Sequence, residues 1–167
     1  YLLENGYEIG NHTVTHPLMA KLSDEEVQKE VAGLQKIVAD MAPKAKLDIL
    51  CLPYGSEPKN KELMFKGSSD GTTYRNKWAL LVGSNPFYPV YHYRNPGNVV
   101  PRIQVMDYNP NSGAGAEGSG YWLRYFERHP ETLFVSDGDP ATICAPSYMQ
   151  PRLLPDALPK ETTFVGY

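Results

Sequence analysis

The sequence predicts an α/β protein, in which short buried strands alternate with helices. Apolar residues recur at three- and four-residue spacing between residues 24 and 41, which indicates an amphipathic helix. Short apolar runs follow at residues 47–52 and 78–82, and their length favours buried strands. This alternation is typical of a sheet covered by helices. With 167 residues, 41% of them hydrophobic, the chain can form one domain or part of a larger one.

The helix carries the clearest local signals in the sequence. Ser23 can cap its N-terminus, and Glu26 completes a capping box three residues later. Acidic residues in the first turn favour the positive end of the helix dipole. We expect the helix to extend from about residue 24 to residue 41 and to end before Pro43.

The remaining elements are short and are separated by loops rich in proline and glycine. Pro101 interrupts one apolar run, so that strand is predicted at a sheet edge or with a bulge. In chain order we predict the end of a helix at 1–5 capped by Gly6, a strand at 7–10, a loop at 85–97, the interrupted strand at 99–106, a surface loop at 109–120, a helix at 121–128, strands at 133–135 and 142–145, a proline-rich tail at 146–159 and a last strand at 162–165.

The composition limits the partners and the covalent chemistry of the chain. A net charge of −3 provides no basic field, so we expect no nucleic-acid partner. No run reaches the ~18 apolar residues of a membrane-spanning helix, so we expect no membrane span. Cys51 and Cys144 form either a disulfide or two free thiols; free thiols are favoured because Cys51 lies in an apolar run.

Two of the four histidines lie in one segment, GNHTVTHP, at residues 10–17. Imidazole is a common zinc ligand, and one helical turn at the end of a strand would bring His12 and His16 to one cation. Active sites of barrels and α/β sheets gather at such strand ends. The alternative is two unrelated histidines, one exposed and one hydrogen-bonded in the interior. One metal ion needs at least a third ligand, so the pair alone does not define a site.

Two segments resemble motifs of the polysaccharide deacetylases, carbohydrate esterase family 4. GYEIGNHTVTHP is similar to the second motif, in which H-[ST]-x-x-H follows a lead with glycine, glutamate and asparagine. LCLPYG is similar to the third motif, R-x-P-[YF]-G, and follows the expected helix. The resemblance implies a distorted (β/α) barrel that is incomplete because its first strands are missing. It also makes residues 1–167 the C-terminal portion of a single deacetylase-like domain.

The resemblance also implies a chemistry. The family hydrolyses N-acetyl groups on polysaccharides such as chitin or peptidoglycan glycans, so an extracellular or cell-wall location is expected. His12 and His16 match two ligands of its divalent metal, usually zinc and sometimes cobalt or nickel. The third ligand and the general base are aspartates of an upstream T-F-D-D motif, which this sequence lacks. The chain alone is therefore expected to be inactive, and another chain could complete the barrel.

Two further residues are assigned to catalysis. The resemblance implies that the backbone N–H of Tyr54 donates to the oxyanion that forms during hydrolysis; by themselves, residues 53–55 indicate an ordinary turn after a strand. Cys51 stands where the motif has an arginine that orients the base. Arg102 is a candidate for the missing guanidinium, with a surface cation as the alternative.

Other departures from the family leave a second function open. Its general-acid histidine motif is not evident: His129 follows a helix, and His92 either lines a sugar cleft or is a simple loop residue. With no such acid and with Cys51 in place of arginine, the alternative is a non-catalytic deacetylase-like protein that binds glycan or cell wall. Asp137 and Asp139 could serve a glycosidase, but carboxylates in a turn more often accept hydrogen bonds from the backbone.

Overall fold

A computed structural model describes residues 1–83, 85–89, 91–106, 118–133, 137–139, 141–153 and 161–167. These residues fall into two compact units, which are described separately. The first comprises Tyr1–Gly83 with Asn98–Arg102, and the second comprises Ser84–Gly97 with Ile103–Tyr167. The histidine segment and both deacetylase-like motifs belong to the first unit.

Helix α1 (Asp24–Met41) forms where the capping signals predict it. Both bonds of the capping box are present: the Glu26 N–H donates to Ser23 Oγ at 3.3 Å, and the Ser23 N–H donates to Glu26 Oε2 at 2.8 Å. The bonds from Ser23 stabilise the carboxylate and lower the pKa of Glu26. Val27 and Val31 on the apolar stripe are fully buried, which anchors the helix on the core of the first unit.

The first unit contains five short strands. They are β1 (Ile49–Cys51), β2 (Lys66–Ser69), β3 (Thr72–Arg75), β4 (Trp78–Leu80) and β5 (Val99–Val100). Strands β1, β4 and β5 form a parallel sheet in the order β1-β4-β5, with Leu50 opposite Ala79. Leu50 and Ala79 are fully buried, so this sheet and α1 share one core.

The hairpin of β2 and β3 was not predicted. Its strands are polar, so no apolar run marks them. The turn residues Asp70 and Gly71 have φ values of 48° and 76°, and Ser69 pairs with Thr72. Such a two-residue turn with two positive φ angles is the type I′ arrangement that Asp-Gly favours between antiparallel strands. The Asp-Gly dipeptide was therefore the available signal.

Tyr74 on β3 packs the hairpin against the core and makes the stability of the fold depend on pH. Its ring is 4% exposed, and its hydroxyl donates to the Leu63 carbonyl at 2.7 Å. Burial raises the pKa of Tyr74 to about 12, from an ordinary value of 10.0. The raised value means that the neutral phenol stabilises the fold fully below pH 10, and that this contribution is lost as the pH rises from 10 toward 12.

Replacing Tyr74 with phenylalanine is expected to make stability less sensitive to alkali. Two pKa units correspond to about 2–3 kcal/mol, so the wild-type free energy of unfolding should fall by about that much more than the variant's between pH 9 and pH 12. Urea melts at several pH values measure the difference. Tyr7→Phe, at a 60% exposed side chain, is the matched control. Equal pH slopes for wild type and Tyr74→Phe would contradict the prediction.

The second unit contains helix α2 (Ser119–Arg128) and strands β6 (Thr142–Ala145) and β7 (Thr163–Gly166). Strands β6 and β7 are parallel, with Ile143 opposite Phe164. These elements lie where the sequence predicts a helix and two strands. Several short 3-10 helices complete the described parts of both units: Leu3–Asn5, Met19–Lys21, Pro53–Gly55, Lys61–Met64, Pro130–Thr132 and Ser147–Arg152.

Two strand predictions fail in part. Residues 7–10 form no strand, and the only sheet contact there is an isolated bridge between Asn11 and Leu50. The strand predicted at 99–106 extends over only Val99–Val100. Pro101 lies between Val100 and Arg102, whose carbonyls accept from the residues that follow β4, so its missing N–H faces the open edge of the sheet. Gly6 does cap the first 3-10 helix, with φ of 78°. Residues 134–135, much of the predicted loop at 109–120 and residues 154–159 of the tail lie outside the described residues.

The α/β class is confirmed, whereas the barrel is not. The described strands form one sheet of three strands and two sheets of two, and none of these closes on itself. The assignment of the whole chain to one domain stays a prediction. Cys51 and Cys144 are free thiols. Across the described ranges, no helix has the length and apolar character that crossing a membrane requires.

Candidate metal centre

The histidine segment begins at the free edge of the parallel sheet. The Asn11 N–H donates to the Ile49 carbonyl, and the Cys51 N–H donates to the Asn11 carbonyl, each at 2.7 Å. These bonds place Asn11 beside Leu50. His12 follows at once, so it lies at the carboxyl end of β1. Ligand sites of α/β proteins gather at this end of a sheet.

A backbone carbonyl orients the His12 ring. Its Nδ1 lies 2.7 Å from the carbonyl oxygen of Cys51. A carbonyl can only accept, so Nδ1 carries the proton and donates. The neutral ring then has its lone pair on Nε2. This hydrogen bond is the kind that selects the tautomer of a metal-binding histidine.

His12, His16 and Tyr54 form a row of three exposed rings with His16 in the middle. The centroids of His12 and His16 are 4.8 Å apart with an interplanar angle of 79°, and those of His16 and Tyr54 are 4.6 Å apart. Two nitrogens that bind one tetrahedral cation at ~2.1 Å are separated by ~3.4 Å. Imidazoles this close can meet that spacing by side-chain rotation, so the pair fits one shared divalent cation.

Glu30 on α1 holds the loop between the two histidines. Its Oε2 accepts from the backbone N–H of Val14 at 2.9 Å and of Thr15 at 2.8 Å. Its Oε1 accepts from the Thr15 hydroxyl at 2.8 Å. Gly33, one turn further along the helix, gives the loop room: a Cβ there would come within 2.9 Å of the Val14 side chain. The loop therefore depends on both residues of the helix.

Asn11 holds the same loop from inside. It is fully buried; its Nδ2 donates to the Val31 carbonyl, and its Oδ1 accepts from the Thr13 N–H, both at 2.9 Å. Thr13 Oγ1 in turn accepts from the His16 N–H at 3.1 Å. Thr13 and His16 have φ values of 64° and 57°. Left-handed backbone in such residues costs about 1–3 kcal/mol each, and these hydrogen bonds help to maintain it.

Tyr54 presents a backbone donor beside the rings. Its φ of 55° is also left-handed, and it lies in the 3-10 turn Pro53–Gly55 after β1. The neighbouring amides of Gly55 and Ser56 donate to carbonyls of the turn, whereas within the described chain no group accepts from the Tyr54 N–H. Gly55 is required here, because its φ is 65° and a Cβ would lie 3.0 Å from the Val82 nitrogen.

Arg102 lies at the carboxyl end of β4. Its Nε donates to the Leu81 carbonyl at 2.9 Å, and its own carbonyl accepts from the Gly83 N–H at 3.2 Å. No described contact joins Arg102 to His12 or His16. The side chain is exposed. Arg102 follows β5, so it shares the carboxyl end of the sheet with the histidines but lies by the opposite outer strand. Its assignment to catalysis stays a prediction.

A third metal ligand is not provided by the residues that the structure describes. Nowhere among them do three histidine, cysteine or acidic side chains form a group that could hold a metal ion. His12 and His16 therefore offer two ligands of a site that needs at least one more.

His92, in the second unit, is a packed loop residue. It is 2% exposed and stacks on Tyr88 with centroids 4.6 Å apart. Its Nδ1 accepts from the Arg94 N–H at 3.1 Å. Burial first, and then the positive charges of Arg152 and Arg94, lower the pKa of His92. A buried ring of this kind does not line a sugar cleft, which decides between the two interpretations of its sequence position.

The other titratable candidates of the second unit serve local structure. His129 ends α2, and its Nδ1 lies 3.2 Å from Glu131 Oε1. Asp137 accepts from the Asp139 N–H, and Asp139 accepts from the Ala141 N–H, each at 2.9 Å. The turn-capping interpretation of these aspartates is confirmed.

Sequence reasoning missed Asn11 and Glu30 as the residues that shape the histidine loop. No sequence motif singles out Glu30, and Asn11 is marked only as the asparagine of the motif lead. The available signal for Glu30 was its position one helical turn after the capping box, next to the buried Val31. Its partners are 15 and 16 residues earlier, so only the tertiary fold brings them together.

Replacing Glu30 with alanine is expected to weaken zinc binding about 10- to 100-fold. The change removes three acceptor contacts that order the loop, and loss of such supporting groups has effects of this size. Isothermal titration with zinc measures the affinity. Glu25→Ala, an exposed carboxylate of the same helix, is the control and should leave it unchanged. Equal affinities for Glu30→Ala and wild type would show that the loop is ordered without this carboxylate.

The fold and the site define an α/β protein with a histidine pair at the carboxyl edge of a parallel sheet. The model of the family described as polysaccharide deacetylase matches residues 1–72, which contain the pair, α1 and the Pro53–Gly55 turn. This match supports a deacetylase-type hydrolase function that acts on a carbohydrate. No solved structure matches the chain.

Proposed function

We propose that His12 and His16 belong to the metal centre of a deacetylase that hydrolyses N-acetyl groups on a polysaccharide, chitin-like or a peptidoglycan glycan. The observation that carries the proposal is the pair of imidazoles 4.8 Å apart within the family match. Imidazole suits zinc, and also cobalt or nickel. Such polymers lie outside the cell or in its wall, where we expect the protein to act.

The residues of the chain have distinct tasks in this reaction. A divalent cation bound there supplies a water of lowered pKa and polarises the acetamide carbonyl. His12 presents Nε2 because its Nδ1 donates to the Cys51 carbonyl. The Tyr54 N–H donates to the carbonyl oxygen as negative charge develops on it. The exposed Tyr54 ring beside His16 offers a face for the sugar.

The general base and the third metal ligand are both expected to be carboxylates. General-base catalysis needs an acceptor within hydrogen-bond reach of the attacking water. We assign both roles to an aspartate pair of the T-F-D-D type, a sequence that does not occur in this chain. Arg102 would orient the base from the carboxyl edge of the sheet. The 167-residue chain alone is then expected to bind zinc weakly and to hydrolyse nothing unless another chain supplies this aspartate pair.

Cys51 favours a second candidate, a non-catalytic deacetylase-like protein that binds glycan. A thiol cannot make the paired hydrogen bonds with which an arginine orients a carboxylate. Cys51 contributes only its backbone to the histidine cluster. A domain with an intact histidine pair but a base that no arginine orients would bind the polymer without cleaving the amide.

Acetate release separates the two candidates. The chain is joined to a T-F-D-D segment of the family, loaded with zinc and incubated with N-acetylchitohexaose or peptidoglycan. We expect acetate from this protein, none from its His16→Ala variant and an unchanged rate from His129→Ala. Retained zinc with no acetate would establish the binding protein instead. No retained zinc would reject the metal centre altogether.

A further inference from the structure

A cavity lies on the first unit, away from the histidine cluster. Its volume is about 640 Å³, within the range of small-molecule sites. The lining combines α1, the segment before β1 and the β2–β3 hairpin. Four of the lining residues are cationic, Lys46, Lys66, Arg75 and Lys77, and one, Asp48, is a carboxylate. The net charge of the protein is −3, so this local excess of positive charge is opposite in sign to the charge of the whole chain.

Two of the four cations are already neutralised. Lys77 Nζ lies 2.6 Å from Asp48 Oδ2, and this hydrogen-bonded pair lowers the pKa of Asp48 and raises that of Lys77. Lys66 Nζ lies 3.4 Å from Glu62 Oε2. Neither Lys46 nor Arg75 forms an ion pair with any described residue. Lys46 acts on the Asp48 carboxylate only at longer range, where its charge helps to lower the pKa of Asp48. The cavity therefore has two positive charges without an ion-pair partner among the described residues.

The hairpin register adds a cost that an anion would relieve. Lys66 on β2 lies directly opposite Arg75 on β3. Like charges in directly opposed positions of an antiparallel pair are destabilising. Gly67 and Tyr74, the next pair, are packed so closely that a Cβ at Gly67 would lie 2.6 Å from the Tyr74 ring carbon Cζ. This packing fixes the register and holds the two cations in place.

The cavity and the histidine cluster lie at opposite ends of the sheet. Asp48 precedes β1 and Lys77 precedes β4, so the cavity borders the amino ends of these parallel strands. His12 and Tyr54 lie at the carboxyl end of β1. A ligand of the cavity is therefore separate from the acetamide that the histidine cluster would take.

We propose that this cavity is a binding site for a phosphate-type oxyanion carried by a small molecule. Two free cations match the double negative charge of a phosphate group, and the guanidinium of Arg75 can donate two parallel hydrogen bonds to it. The cavity has room for the organic part that bears the phosphate. The site is independent of the proposed deacetylase function and does not require a metal.

Titration with pyrophosphate in metal-free buffer at 150 mM salt tests the proposal. We expect saturable binding to the 167-residue chain, weakened at least tenfold in the double variant Lys46→Ala/Arg75→Ala. The control Lys29→Ala/Lys59→Ala removes the same charge from exposed positions that do not line the cavity, and should stay within twofold of wild type. Lys46→Ala alone, expected to lose about threefold or more, guards against misfolding of the double variant.

Chemical shifts and affinities together distinguish binding in the cavity from a general response to charge. Amide chemical shifts should move at Gly67 and Thr73 and stay unchanged at His12 when pyrophosphate is added. The absence of saturable binding would overturn the proposal. So would equal weakening in the control, because the interaction would then be a general response to charge. Since no metal is present, failure here leaves the deacetylase proposal intact, and failure of acetate release leaves this site intact.

Discussion

Replacing His12 or His16 with alanine is expected to weaken zinc binding by at least ~100-fold. Each change removes one of two imidazoles whose rings lie 4.8 Å apart, and a single histidine retains a divalent cation poorly. The same loss should occur with cobalt. Because the chain alone is expected to bind zinc weakly, isothermal titration and metal analysis after dialysis are carried out on the chain joined to the T-F-D-D segment.

The control for this prediction is His129→Ala, which removes an exposed imidazole that contacts Glu131 in the second unit. It should leave zinc affinity unchanged. His12→Ala should also leave the melting temperature nearly unchanged, because the side chain is exposed. Zinc affinity that survives the double variant His12→Ala/His16→Ala would place the metal elsewhere and remove the catalytic proposal.

Replacing Asn11 with alanine is expected to destabilise the first unit by about 2–4 kcal/mol. The change leaves the buried Thr13 N–H without an acceptor, which costs about 1–3 kcal/mol. It also removes the bond from Asn11 to the Val31 carbonyl, worth about 1 kcal/mol, although that carbonyl still accepts its bond within α1. Urea denaturation followed by tryptophan fluorescence measures the effect. Zinc affinity should fall as well, because Thr13 in turn holds the His16 backbone.

Asn60→Ala is the matched control for Asn11. Asn60 also accepts a backbone hydrogen bond, from the Glu62 N–H at 3.3 Å, but it is exposed. Water can replace that bond, so we expect a loss of about 1 kcal/mol or less. If both variants lose the same free energy, the interior bonds of Asn11 are not what stabilises the histidine loop.

Local signals located the elements that they control directly. The capping box and the apolar stripe of α1 involve residues within a few positions of each other, and its bounds agree with the prediction at both ends. The predicted proximity of the His12 and His16 rings is observed, but the predicted helical turn between them is not: Thr13 and His16 have φ values of 64° and 57°. Residues 7–10 failed as a strand because pairing depends on a partner far along the chain, and only Asn11 meets Leu50.

The sequence by itself determined the α/β class, helix α1, the histidine pair and the family match, because each is encoded in short-range spacing. Only the tertiary structure decided what surrounds the pair. Glu30 from the helix, the Cys51 carbonyl from β1 and the Tyr54 ring contact the histidine loop across 15 to 39 positions of the chain. Contacts over such separations depend on how helix and sheet pack, and no local pattern records that packing.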